Sequence, residues 1–216
     1  VFHFLGKEHS ALQKVVVDTV LVCIMEHGMT PSAIASRVTY LGAPESLQGA
    51  VAAGLLGAGT RFVGAADQAA ALLKRIVALP MPARKDEAMR IAKEHHESKQ
   101  FLPGYGHPIH INGDPRVKRL DEVIRNAGAN GEYLDAMYLL GDAIKEVSGK
   151  KIVINVNAAI GAALLEADIP PEIARGFNII ARCAGLVGHI YEEQSEPAGY
   201  KIWQAADGAV PYQPAD

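Results

Sequence analysis

Cysteine is nearly absent: the 216 residues hold two, Cys23 and Cys183. Both fall in apolar helical patterns, which excludes a disulfide framework and a cysteine-built metal centre. They read as small hydrophobes of a reducing compartment. A basic excess is missing too, since 21 Lys and Arg stand against 24 Asp and Glu for a net charge of −3. That excludes charge-driven binding to nucleic acid or an anionic membrane, so any anion site must be local. Long apolar runs are lacking. The longest, over 152–165 and 179–187, are short or interrupted by Arg182, so none reads as a membrane span. No GxxxxGK[ST], Rossmann glycine signature or H-E-x-x-H occurs. The run Glu94-His95-His96-Glu97 places adjacent histidines about 100° apart on a helix, so it reads as a solvated face. No metal site is expected. There is no internal repeat and no alternation strong enough for a sheet. The chain opens on Val1, so the lack of a leader carries little weight. A soluble, cytoplasmic protein is expected.

Helical periodicity recurs instead. Ser10 caps an expected helix through Leu12, Val16, Val20 and Ile24 that ends near Gly28. Thr30-Pro31 opens the next, over 31–40. The stretch 45–59, ESLQGAVAAGLLGAG, carries Gly49, Gly54 and Gly57. Glycine within a helix costs about 1 kcal/mol against alanine, so these imply close helix packing or a dimer seam. Further helices are expected over 67–79, 85–100, 115–126, 133–147, 156–168 and 171–192. Ile152–Val156 reads as extended, and the tail from Gln194 as irregular. The fold class is therefore all-α. Composition shifts at Pro80–Pro82, which reads as a hinge with a second, smaller unit after it; the expected division is a large helical part over 1–79, a smaller part over 80–189, and a C-terminal segment over 190–216.

One loop stands out, Phe101–Arg116, FLPGYGHPIHINGDPR. Its glycines let backbone approach a ligand, and its prolines remove conformational freedom beforehand. Pro103-Gly104-Tyr105-Gly106 is a preset turn that delivers His107; Gly113-Asp114-Pro115 is a second, starting a helix. Arg116, Lys118 and Arg119 then oppose the helix dipole. An anion at that terminus would explain them; a solvated basic helix start explains them equally well.

The segment GYGHPIHINGDPR resembles the small-domain signature of the citrate synthase family, GxGHRVY followed by DPR. The resemblance extends, in order, through Glu26-His27-Gly28, Gly54–Ala70, Gly149–Asn157 and Ala181–His189. It is closer to the citryl-CoA-cleaving module of ATP-citrate lyase and to citryl-CoA lyases than to the synthases. The resemblance implies a citrate-synthase-like fold of a large and a smaller mobile helical domain, paired as a homodimer or higher homo-oligomer. It implies reversible cleavage of citryl-CoA, or a related 3-hydroxy-acyl-CoA, to acetyl-CoA and oxaloacetate. The ligands are then an acyl-CoA and a small carboxylate. Coenzyme A enters as part of the substrate, and no further cofactor is implied.

By that resemblance, His107 is the base or electrophile at the substrate oxygen, and His27 is a second substrate-contacting imidazole. A histidine at a helix end is also a simple dipole partner. Arg116, Arg61 and His110 are expected near the substrate. Gly104, Gly106, Lys150 and Lys151 are expected at coenzyme A, although Lys150 and Lys151 equally suit a solvated helix end. Arg182 has an independent physical case. It sits in otherwise apolar IIARCAGLVGH, where a buried guanidinium needs an anion. Asn178, Arg182, Gly185 and His189 are spaced to share one helix face, with Gly185 leaving room beside the arginine. Two positions depart from the family. Asn157 stands where an aspartate exchanges the acetyl methyl proton, and Pro108 replaces an arginine. Asn157 can hydrogen-bond a thioester oxygen but cannot accept a proton at neutral pH. His110, Glu26 and Asp114 are candidates for a substitute proton carrier. The alternatives are synthase-type condensation with a 2-oxo acid and a catalytically impaired CoA-binding helical dimer.

Overall fold

The structure is a computed structural model that describes residues 8–59, 65–106 and 112–210. Its helices are α1 (Ala11–Ile24), α2 (Pro31–Gly42), α3 (Leu47–Leu56), α4 (Ala66–Val77), α5 (Met81–Ser98), α6 (Pro115–Asn126), α7 (Glu132–Ser148), α8 (Val156–Glu166), α9 (Ala174–Ser195) and α10 (Gly199–Ala209), with one 3₁₀ turn at Pro171–Ile173. Among the described residues no strand forms. The extended character expected at Ile152–Val156 survives as a single antiparallel bridge between Ile154 and Tyr105.

The chain folds as two compact units, each made of two segments: Val1–Cys23 with Gly64–Phe177, and Ile24–Val63 with Asn178–Asp216. The expected boundaries at residues 80 and 189 each lie within one of these units. Pro80 makes only a tight break between α4 and α5, which pack on each other. Residue 189 lies within the unbroken α9.

In the first unit α8 is the centre. Its sequence, VNAAIGAALLE, is apolar on every side, as a helix enclosed by others must be. Val156 and the whole run Ala158–Leu164 are buried, against α4, α6 and α7. Gly161 sets the spacing to α4: a Cβ there would lie 2.7 Å from the Ala66 carbonyl and 3.0 Å from the Ala70 nitrogen. Buried Leu72, Leu73, Ile76, Leu134, Met137 and Leu140 complete the core, each contributing about 1.5–3 kcal/mol of transfer free energy. The first turn of α7 follows Gly131, which has no capping side chain. Glu166, at the end of α8, accepts from the Gly131, Tyr133 and Leu134 amides at 3.0, 2.7 and 3.2 Å instead, which satisfies orphan donors and complements the dipole.

In the second unit α2 and α3 pair, and the Ser32 hydroxyl donates to the Gly54 carbonyl at 2.6 Å. Thr30 caps α2 as expected. The tail departs from expectation: 199–209 is helical rather than irregular. Its first residue carries no cap of its own. Glu193 supplies one by accepting from the Ala198 and Gly199 amides at 2.9 and 2.6 Å, and α10 packs on α2. Both supports come from elsewhere in the fold, so the local sequence does not reveal them.

Candidate active site

The stretch leading to residue 107 is laced to the start of α8. The Gly106 amide donates to the Val153 carbonyl at 2.6 Å, and the Asn155 amide to the Gly104 carbonyl at 2.9 Å. The Asn155 side-chain amide donates to the Gly106 carbonyl at 2.8 Å, while its Oδ1 caps α8 by accepting from the Asn157 amide at 2.9 Å. Asn155 thus ties the carbonyl immediately before His107 to the turn carrying Asn157. Gly104 has φ +86°, and a Cβ there would meet the Ala158 Cβ at 2.7 Å. Its requirement for glycine therefore comes from α8. Gly106, at φ +95°, has open space where its Cβ would be. Tyr105 is buried and donates to the Met137 carbonyl at 2.9 Å, and burial raises its phenol above the ordinary range.

Asp114 closes this frame. It caps α6 by accepting from the Arg116 amide at 3.1 Å. It also receives Arg116 Nε and Nη2 at 2.9 and 2.8 Å and the Val156 amide at 3.0 Å. One carboxylate therefore joins the first turns of α6 and α8. Arg116, expected at a ligand anion, spends two of its donors on Asp114. The basic helix start is divided three ways: Arg116 pairs inward, Arg119 pairs with Glu122 at 3.0 Å, and Lys118 faces a cavity.

That cavity, about 430 Å³, lies beside the frame and is lined by Asn112, Gly113, Asp114, Val117, Lys118, Tyr138, Gly141, Asp142, Lys145 and Lys151–Ile154. Three lysines converge on it, against apolar walls from Val117, Ile152, Val153 and Ile154. Of the expected pair, Lys151 lines the cavity and Lys150 is exposed outside it. Lys118 and Lys145 were not singled out as cofactor ligands from sequence; the signal lay in their distribution over α6 and α7, which only the fold brings together. Burial and the neighbouring Asp121 carboxylate push the Tyr138 phenol up to about 12.

The second unit presents the other expected group. Asn178, Arg182, Gly185 and His189 are all buried along α9, as their spacing predicts. Gly185 differs in purpose. The room it leaves is taken by the Met25 carbonyl, so the turn Met25–Gly28, which carries half-buried His27, lies against this face of α9. Its Glu26 carboxylate accepts from the Gly28 amide and lies 2.7 Å from His189 Nε2. Sequence reading missed Arg37, which is 1% exposed. It donates through Nε and Nη2 to His189 Nδ1 at 3.1 and 2.9 Å, through Nη1 to Glu193 at 2.6 Å, and to Glu192. The available signal was a lone arginine inside PSAIASRVTYLG, the same argument that singled out Arg182.

Among the described residues two buried carboxylates are held below their ordinary range. Burial works to raise Asp114, but the hydrogen bonds and charge of Arg116 and the Arg116 and Val156 amides outweigh it, so its carboxyl lies below the ordinary value. Burial likewise works to raise Glu193, and the Ala198 and Gly199 amides together with Arg37 outweigh it. A carboxyl lowered in the native state stabilises above its unfolded value, about 4, and that contribution is lost as pH falls through the native value. Urea denaturation across pH 3–7 is expected to show stability falling steeply below about pH 4, with a shallower fall when Asp114 is replaced.

His107, His110 and Arg61 lie outside the described residues. Among the described residues, no three of His, Cys, Asp and Glu gather as a metal site, and no helix is long and apolar enough to cross a membrane. The family model "Citrate synthase, C-terminal domain" matches residues 1–205. The chain is 31% identical to the citryl-CoA lyase of Hydrogenobacter thermophilus, with a TM-score of 0.81 over 97% of this chain and 79% of that one. It superimposes on the ATP citrate lyase of Methanothrix soehngenii, solved with citrate and coenzyme A, with a TM-score of 0.78 at 22% identity, covering 98% of this chain and 36% of that one. It is 27% identical over 193 residues to the ATP-citrate synthase beta chain protein 2 of Arabidopsis thaliana, covering 80% of this chain. The chain spans 31% of the length of that curated relative.

Proposed function

The chain belongs to the citrate synthase family, and on that premise we propose that it cleaves citryl-CoA, or a related 3-hydroxy-acyl-CoA, to acetyl-CoA and oxaloacetate. The observation that carries this reading is the lysine-lined cavity next to the Gly104–Gly106 and Asn155 frame. Lys118, Lys145 and Lys151 supply cations for the phosphates of a coenzyme A thioester, and the apolar wall suits its uncharged portions. A volume of about 430 Å³ accommodates part of such a ligand.

In the proposed reaction His107 takes the proton of the tertiary hydroxyl. The carbon–carbon bond then breaks, its electron pair forms the thioester enolate, and a proton added to that carbon gives the acetyl group. Arg182 and His27 hold substrate carboxylates. Asn157 stabilises the thioester oxygen as a hydrogen-bond donor, so the enolate proton comes from another group. Asp114 and Glu26 are unsuitable donors, because each carboxylate already serves fixed partners. His110 is the remaining candidate from sequence. We also propose a homodimer. Leu47 and Leu56 leave α3 44% and 88% exposed at two large apolar positions, and Tyr191 and Trp203 are 76% and 56% exposed, surfaces that a second copy would cover.

Purified protein incubated with citryl-CoA is expected to release acetyl-CoA and oxaloacetate. Coenzyme A binding without cleavage would favour the impaired CoA-binding alternative. No binding of either thioester or coenzyme A would remove the reading altogether.

A further inference from the structure

We propose that His189, held between Arg37 and Glu26, is a positioning residue that orients the turn carrying His27. The proposal rests on the reading that His27 contacts the substrate.

The ring's chemistry is fixed by its neighbours. Arg37 approaches Nδ1 through both Nε and Nη2, at 3.1 and 2.9 Å. A guanidinium has donors only, so Nδ1 must be the acceptor and the ring proton sits on Nε2. Nε2 is buried, with Glu26 Oε2 at 2.7 Å. Among the described residues Nε2 has no other acceptor, so Glu26 is the group this N–H must serve. The other Glu26 oxygen accepts from the Gly28 amide, which brackets His27 between the carboxylate and its anchor. Arg37 is itself immobilised by Glu193 at 2.6 Å and by Glu192, and Glu193 is pinned by the Ala198 and Gly199 amides. Gly185 adds a second, independent fixing point, since its missing side chain lets the Met25 carbonyl seat on α9. The chain of contacts therefore runs from a fully buried cation, through one imidazole, to the carboxylate beside His27. Groups that orient a ligand-contacting residue in this way act through placement: a shift of about 1 Å there can cost up to 100-fold.

Two variants separate the two bonds of the ring. His189→Gln puts an amide N–H where Nε2 was, preserving the Glu26 side and dropping the Arg37 acceptor. His189→Asn puts an oxygen where Nδ1 was, preserving Arg37 and dropping Glu26. The readouts are the nitrogen-15 and proton shifts of the His27 ring in the free protein, the KM for citryl-CoA, and stability in urea. If His189 positions the turn, His189→Gln keeps the His27 shifts and a KM within about twofold of the parent while losing stability. His189→Asn then keeps stability, displaces the His27 shifts and raises KM about tenfold with kcat nearly unchanged. If His189 serves only to satisfy buried Arg37, both the shifts and KM follow stability, and the proposal is overturned. Glu26→Ala, at a half-exposed side chain, supplies the third variant: unmoved His27 shifts would equally overturn it. Because the ring shifts are read without substrate, a parent protein that leaves citryl-CoA intact would refute the proposed function and still decide the role of His189.

Discussion

His107→Ala is expected to slow citryl-CoA cleavage by about 1,000-fold, the middle of the range for losing a positioned proton-transfer group, with the thermal midpoint unchanged. The expectation comes from how the chain before it is held. Every polar backbone group from Gly104 to Gly106 that the structure pairs is paired with Leu102 or the Val153–Asn155 stretch: the Tyr105 amide on the Leu102 carbonyl at 3.1 Å, the Gly106 amide on Val153, and the Gly104 and Gly106 carbonyls on Asn155. A turn held by these bonds does not depend on the residue after it for its own shape. Stopped-flow or coupled measurement of oxaloacetate release, alongside a thermal melt, checks both halves. Turnover within tenfold of the parent would remove His107 from the proton transfer. A collapsed melting transition would mean that the imidazole is structural.

Asp114→Ala is expected to be the most damaging change to the fold, at about 3 kcal/mol by urea denaturation. Its side chain is 0% exposed and that of Arg116 is 19% exposed. Truncation strands a mostly buried guanidinium and orphans the Val156 amide at the start of the central helix, and unpaired groups of these kinds cost about 1–5 kcal/mol in combination. Asp114→Asn keeps an acceptor for Val156 and turns part of its amide toward a cation, so about half the loss is expected. Because Asp114 and the first turn of α6 also line the lysine cavity, coenzyme A affinity should fall with stability in both variants. A loss below about 1 kcal/mol in Asp114→Ala would show that the two helix starts are held together by packing alone.

These two residues also mark how far the sequence could be read. The preset turns around the loop, the proline that opens α6 at residue 115 and the shared face of Asn178, Arg182 and His189 were legible, because each follows from local geometry or helical period. Asp114 reads locally as a helix cap. Its bond to Val156 spans 42 residues and has no local signature. Lys118 was legible as a cation opposing the dipole of α6, but its pairing with Lys145 across one cavity was not, because α6 and α7 meet only in the fold. Gly185 was legible as a close approach but not as to what approaches, since the Met25 carbonyl comes from a segment 160 residues earlier. The helix over 199–209 escaped because its cap, Glu193, belongs to the preceding helix. What sequence pattern conveys well is the periodic and the local; the residue-to-residue joins that build this site are long-range and polar.

The account depends most on the cavity beside the α6–α8 frame being the seat of the thioester ligand. A crystal structure of the protein with coenzyme A tests that directly. The predicted result is phosphate oxygens within hydrogen-bond distance of at least two of Lys118, Lys145 and Lys151, with the thiol end running toward the Gly104–Gly106 turn. Coenzyme A bound elsewhere, with those three lysines still in solvent, would contradict it.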